Sequence, residues 1–278
     1  MHDIGQIITM CSKTLTSLRF VFRTSVGFSP SIIGAVKQVE NLKVLNIIGG
    51  SFGTPINDLE SLKDLLEATL RLQSLSLELG FLQRLHISPE SLRYLEHLSV
   101  KCTSNNSDAL AHLCKFHGKN IKCLEYIPHH DRDQATSMLL AVRSTIKILF
   151  TDSVPNSLAV NVRNVTFPLL KVVCTLEPPT GHRDLRWLES EFFRNMKIMI
   201  TNYDHSNDYW HVMLRNYNGA SLTTPPDFKH IIFVTQDGVN IEDRPLAQRF
   251  EVYGICCVFR AQLSYSEIMH GACAYSGF

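Results

Sequence analysis

No apolar run in this sequence approaches the roughly 20 residues that a membrane-spanning helix needs; the longest, such as Met138-Leu139-Leu140-Ala141-Val142, fall far short. An excess of charge of one sign is missing too. Lys and Arg number 27 against 26 Asp and Glu, which removes the electrostatic motive for general binding to nucleic acid or an anionic membrane. No C-x-x-C pair occurs among the 8 cysteines, Cys11, Cys102, Cys114, Cys123, Cys174, Cys256, Cys257 and Cys273. Met1-His2-Asp3-Ile4 has neither the basic start nor the apolar stretch of a secretory signal. The expectation is therefore an intracellular protein, of cytoplasm or nucleus, with reduced and mostly buried thiols. The sequons Asn105-Asn106-Ser107 and Asn164-Val165-Thr166 carry no weight there. There is no G-x-x-x-x-G-K-[ST], H-E-x-x-H or G-x-G-x-x-G, so no cofactor is expected.

What the chain does have is a hexamer that returns. Leu42-Lys43-Val44-Leu45-Asn46-Ile47 is apolar at its first, fourth and sixth places, and the pattern recurs from Leu15, Leu72, Leu95, Ile121 and Phe228, and from Ile146, Leu170 and Met196 with threonine in the sixth place. Starts lie roughly 23 to 32 residues apart, the period of helix-containing leucine-rich repeats. Lysine holds the second place in six of the nine: Lys43, Lys122, Lys147, Lys171, Lys197 and Lys229. Apolar alternation marks the hexamers as strands, and the stretches between them supply crossover helices, so the strands run parallel. Each strand–helix unit has an apolar face that only its neighbours can cover. The fold expected is α/β, a leucine-rich-repeat solenoid of about nine irregular repeats, its curved parallel sheet on the concave side and its helices on the convex side. Residues 1–14 read as a partial repeat or cap, 15–239 as the solenoid, and 240–278 as a degenerate last repeat with a C-terminal cap or tail.

Helix starts are expected at Ser29-Pro30, at a capping box in Asn57-Asp58-Leu59-Glu60, at Ser88-Pro89-Glu90 and at Ser107-Asp108, with Gly118 closing the last. Asp133 to Arg143, Arg183 to Arg194 and Ser206 to Tyr217 read as further helices, and Phe250 to Ile255 as a tenth, degenerate strand. The ninth place of each repeat holds Arg23, Gly50, Gly80, Thr103, His129, Val154, Pro178, Asp204 or Gln236, so no asparagine ladder is expected to tie the turns.

With the L-x-x-L-x-L spacing, the irregular repeat lengths and phrases such as Phe167-Pro168-Leu169-Leu170-Lys171-Val172-Val173, residues 10 to 235 resemble the leucine-rich region of fungal F-box proteins. The resemblance implies substrate recognition for an SCF-type ubiquitin ligase. In that family an F-box helical segment contacts the ligase scaffold; none is found in this sequence, so that contact would need a further N-terminal segment.

Three constellations invite chemistry. Gly49-Gly50-Ser51-Phe52-Gly53 fits the G-x-S-x-G elbow of a serine hydrolase, with His182 or His205 and Asp152 downstream. Thr54-Pro55 delays the helix that an elbow needs at once, so a turn built on glycine is the plainer reading. His129-His130-Asp131-Arg132-Asp133 gathers metal-ligand types but reads as a polar turn before a helix. His112 and His117, five apart, do not share a helix face, and Cys256-Cys257 reads as one core and one surface side chain rather than a redox pair. No metal site is expected.

That leaves a surface, not an active site. With the first, fourth and sixth places inward, the third, fifth and seventh form the concave face. The partner-binding residues expected on it are Arg19, Asn46, Ser76, Glu78, His97, Lys101, Glu125 and Phe150; Ser17, Ser74 and Ser99 lie on the same face. In the repeats from Ile146, Leu170 and Met196 the same places hold Ile148, Phe150, Val172, Cys174, Ile198 and Ile200. Either those strands are shifted by one residue, as threonine at each sixth place favours, or they carry an apolar partner patch. The function expected is a non-catalytic protein–protein interaction module, a ubiquitin-ligase adaptor by the resemblance, with no nucleic-acid or membrane partner; the alternative is a serine hydrolase using Ser51.

Overall fold

The computed structural model describes residues 4–49, 56, 58–128, 132–177, 185–204, 208–215, 222–235 and 242–261. They divide into two compact units, Met1–Thr145 and Ile146–Phe278. The first holds strands β1 (Ser17–Phe22), β2 (Val44–Gly49), β3 (Ser74–Glu78), β4 (His97–Cys102) and β5 (Cys123–Pro128). Between them come helices α1 (Ile4–Met10, ahead of β1), α2 (Pro30–Val36), α3 (Leu59–Ala68), α4 (Ser107–His117) and α5 (Thr136–Ala141). The second holds β6 (Ile148–Ser153), β7 (Val172–Glu177), β8 (Ile198–Tyr203), β9 (His230–Thr235) and β10 (Cys256–Ala261), with α6 (Val160–Arg163), α7 (Tyr209–Arg215) and α8 (Arg244–Glu251). Within each unit the strands pair in chain order and every pairing is parallel. The fold is α/β. No helix among the described residues is long and apolar enough to cross a membrane.

Each of the nine hexamers supplies one strand, and the second place explains how they join. The carbonyl of Lys43 accepts from the N–H groups of both Gln73 and Ser74, each at 2.9 Å. Thr16, Gln73 and Glu96 do the same for the strands that follow them, as do Lys147, Lys171 and Lys197 in the second unit. A carbonyl oxygen has two lone pairs, so one acceptor fixes two donors of the next strand. Side chains add further ties. Asn41, Asn120 and Asn195, each just ahead of a hexamer, donate to the carbonyls of Lys13, Arg93 and Phe167. Asparagine does link successive turns here, though not from the ninth place where the sequence reading looked for it.

From β2 to β5 the fourth and sixth places are sealed: Leu45, Leu75, Leu98 and Leu124 are in mutual register, as are Ile47, Leu77, Val100 and Tyr126, and all are buried, whereas Leu18 and Phe20 of β1 are half-buried. Burying one such side chain is worth about 1.5–3 kcal/mol. The helices bring Leu62, Leu65, Leu66, Leu110 and Leu113 to the same core. Ser29 caps α2 as expected, accepting from Ile32 N–H with Pro30 at the start. The cap of α3 is Asp58, accepting from Ser61 N–H at 2.9 Å, one residue later than the capping-box reading placed it. No helix follows Ser88-Pro89. The chain makes turns there instead, with buried Leu92 at φ +57°, a left-handed conformation no helix interior allows. Gly118 lies at φ −75° and opens a 3-10 turn rather than a left-handed cap; a Cβ there would stand 2.9 Å from Val142 Cγ1, so packing, not backbone freedom, requires glycine.

In the second unit the strands are not shifted. Leu149, Val173, Met199 and Ile231 lie in one row, and Thr151, Thr175, Thr201 and Phe233 in the next. Phe233 packs on Trp210 of α7 and Phe250 of α8, so this second row faces the helices and the threonines are buried in it. The hydroxyl of Thr175 donates to Asp152 C=O at 2.9 Å and accepts from Val154 N–H, which is how a polar side chain is accommodated there. On the other face Ile148, Val172, Cys174, Ile198 and Ile200 are buried as well, and Phe150 is half-buried. The register is regular, so the strands are not shifted; the set is nevertheless buried, as the shifted alternative expected, and at these places no apolar patch is open among the described residues. Strands buried on both faces read as continuous apolar runs, as these do.

Two further segments, both in the second unit, fold differently from the sequence expectation. Leu185 to Arg194 forms two 3-10 turns, Arg186–Glu189 and Glu191–Phe193, because Ser190 between them is extended and bonds back to Trp187 C=O. Phe250 belongs to α8, capped by Asp243 with Pro245 in its first turn; Gly254, at φ +73°, ends it, and the tenth strand begins at Cys256. Cys256 is exposed and Cys257 half-buried.

Candidate functional site

The face of β1–β5 turned away from the helices is polar because of which places reach it. Register sets Arg19 beside Asn46, Asn46 beside Ser76, Ser76 beside Ser99, and Ser99 beside Glu125. These five fifth-place residues form one row across five strands. The third-place row alongside is Ser17, Val44, Ser74, His97 and Cys123. Arg19 is exposed, Asn46, Ser99 and Glu125 are half-buried, and Ser76 is buried at the centre. Glu78 and Lys101, at seventh places, extend the face.

Of the eight residues expected to bind a partner, seven lie in this unit, and four of them (Arg19, Asn46, Ser76, Glu125) share the row. His97 stands in the adjacent row. Its Nδ1 is 2.7 Å from Ser74 Oγ, and its Nε2 is 3.7 Å from Glu125 Oε2. Phe150 belongs to the second unit, where it pairs in register with Cys174.

A serine, an imidazole and a carboxylate in that order carry the atom types of a hydrolytic relay. Two features weaken that use. The His97–Glu125 separation exceeds hydrogen-bond length, and the amides of β3, β4 and β5 are engaged in the parallel ladder, leaving no evident pair aimed at an oxyanion. As a recognition surface the same atoms need no such donors, since serine, imidazole and carboxylate each present hydrogen-bonding capacity to a partner.

Elsewhere in the first unit, Arg84 holds Asp108 through two bonds of 2.6 and 2.8 Å. That pair lines an open groove of about 420 Å³ with His112, Lys115, Phe116 and Ser137. His112 meets the His86 ring edge-on and the Phe116 ring at a tilt and is half-buried on the groove, while His117 is buried, so the two histidines meet different surroundings. Burial lowers the pKa of both, and the His86 ring adds to that effect on His112.

In the second unit, sequence reasoning missed a cluster. Asp243 accepts from Tyr203 Oη, from Leu246 N–H at 3.0 Å, and lies 2.7 Å from His211 Nε2. Burial pulls its carboxyl upward, but the bonds from Tyr203, Leu246 and His211 outweigh this and hold it below the usual range. The Tyr203 phenol is pushed up, first by burial and then by Asp243. This arrangement ties α7, α8 and β8 together. Only the helix-cap pattern Asp243-Arg244-Pro245 could have pointed to it; nothing in the sequence marks its partners.

Among the described residues no group of three or more His, Cys, Asp or Glu could hold a metal ion. His129-His130-Asp131, and Ser51 with Gly53, His182 and His205, lie outside the described residues. Compared with known proteins, the sequence matches no family model and no curated protein.

Proposed function

We propose that this chain is a non-catalytic, leucine-rich-repeat-type recognition module that holds a protein partner along the face of β1–β5 away from the helices. One observation carries the reading: Arg19, Asn46, Ser76, Ser99 and Glu125 line up across five strands as an uninterrupted polar row. A row of that kind offers positive charge at one end, negative charge at the other and neutral hydrogen-bonding groups between, on a rigid sheet. The spacing and repeat lengths that resemble F-box proteins support a finer version, in which the module reads substrates for an SCF-type ubiquitin ligase inside the cell.

The test is charge reversal on the full-length gene product. A partner captured from its own cells should be lost from the Arg19→Glu, Glu125→Lys double variant while the fold, read by circular dichroism, is kept. A partner retained by that variant places binding elsewhere and ends the reading. For the finer version, the reading frame upstream of Met1 decides: an F-box-like helical segment supports the ligase role, and a stop codon there removes it.

A second reading rests on Ser74 Oγ lying 2.7 Å from His97 Nδ1. If this serine were a hydrolytic nucleophile, a fluorophosphonate probe would label the chain and Ser74→Ala would abolish labelling. The same probe with Ser51→Ala checks the elbow motif.

A further inference from the structure

The lysine that recurs at the second place has a consequence in the second unit. Lys147, Lys171, Lys197 and Lys229 each precede one of four consecutive strands, β6 to β9. Lys171 N–H bonds the carbonyl of Lys147 at 2.8 Å, Lys197 N–H that of Lys171 at 2.8 Å, and Lys229 N–H that of Lys197 at 3.0 Å. One lysine therefore follows the next at the inter-strand spacing, about 4.8 Å. Like charges on neighbouring strands repel to a degree set by how near their ammonium groups come, and counter-charges relieve that repulsion.

The first unit counters them internally. Its second-place column reads Thr16, Lys43, Gln73, Glu96 and Lys122, so Lys43 stands between neutral residues and Lys122 Nζ is bonded to Glu96 Oε1. The second unit has no acidic residue in its column. Among the described residues no ion pair joins Lys147, Lys171 or Lys229 to a carboxylate, and Asp227, two residues before Lys229, is not joined to it. Lys147 and Lys229 are exposed, and Lys171 and Lys197 are half-buried.

We propose that this lysine column binds an acidic peptide segment lying extended across the starts of β6–β9. Three inter-strand steps span about 14 Å, the length of four to five extended residues. The strand amides at these places already serve the parallel ladder, so the peptide is held by charge and not by adding a strand. A single-stranded nucleic acid fits less well. Such sites combine a cationic track with aromatic platforms on which bases stack. The exposed large apolar side chains described in this unit are Val160, Leu169, Leu176, Val212 and Val252, none of them aromatic.

The experiment uses the full chain and an acetylated, fluorescein-labelled octapeptide of alternating Asp and Glu, followed by anisotropy at low and physiological salt. Saturable binding that weakens with salt is expected. Lys147→Glu with Lys229→Glu should weaken it at least tenfold, both changed to Arg should preserve it, and Lys43→Glu in the first unit should leave it unchanged. Thermal melts verify that each variant folds. Absence of saturable binding at low salt, equal loss from Lys43→Glu, or tighter binding of an oligothymidylate of matched charge would each overturn the proposal. The Arg19→Glu, Glu125→Lys variant, which tests the strand-face reading, should bind the peptide normally, so the two can fail separately.

Discussion

Asn106 Nδ2 donates to the carbonyl of Leu79 at 2.6 Å, joining the end of one strand to the turn after the next. The same amide nitrogen reaches Lys101 C=O at 2.7 Å, and its oxygen accepts from Thr103 N–H at 2.8 Å. The bonds to Leu79 and Thr103 are buried and the one to Lys101 partly so; Asn106 itself is only 2% exposed. Asn106→Ala would leave backbone groups buried without partners, at about 1–3 kcal/mol for each one left fully unsatisfied. Urea denaturation should show the midpoint falling with little change in slope, a loss of about 3 kcal/mol in all. A loss under about 0.5 kcal/mol would mean that these bonds hold nothing in place.

Gly118 and Val142 form a steric pair. Gly118→Ala should destabilise by about 1–3 kcal/mol, because the new methyl meets a buried branched side chain. Val142→Ala costs stability by itself, yet in the double variant the two losses should fall short of their sum. Additivity in that cycle would show that the contact is not the cause.

The buried threonines separate cleanly. Thr175 Oγ1 is bonded on both sides, whereas Thr151 Oγ1 is buried with no hydrogen-bond partner among the described residues. Thr175→Val should therefore destabilise by about 1–2 kcal/mol, while Thr151→Val should be neutral or stabilising. Equal effects, measured by thermal melts, would contradict the hydroxyl assignments.

Asp243 makes the second unit sensitive to acid. Its carboxyl is held below the usual range in the folded chain, so the stability it contributes is present above the ordinary carboxyl value near pH 4 and is lost as pH falls through the lower folded value. Tyr203 has the opposite sign: its pKa is raised, so its contribution is complete below about pH 10 and is lost as pH rises through the folded value. Asp243→Asn keeps a good helix cap but removes the charge. Its stability deficit should be largest near neutrality and shrink on acidification; a deficit constant with pH would show that the charge is irrelevant.

Much of the architecture was legible because strand periodicity is a strong signal: each hexamer yields a strand, and the tenth strand was missed by only a few residues. Alternation also placed Arg19, Asn46, Ser76 and Glu125 on one face. What failed was local. Threonine at a sixth place suggested a shifted strand because a hydroxyl looks like a surface group, and its two backbone partners come from residues some 20 positions away. Gly118 looked like a left-handed cap, but the crowding that selects it comes from Val142 in the next helix region. The cluster around Asp243 joins three segments far apart in the chain, which no spacing rule connects. Ser74 and His97 meet for the same reason: the pairing of β3 with β4, not proximity in sequence, sets them side by side.

Because β6, β7 and β8 are greasy on both sides, sliding one of them by a single residue would exchange one oily surface for another, with little solvation penalty to forbid it. Alignment must then be enforced by polar fasteners, namely the shared lysine carbonyls at the strand starts and the hydroxyl of Thr175. Lesions at those fasteners should produce mispaired, heterogeneous chains before they produce unfolded ones.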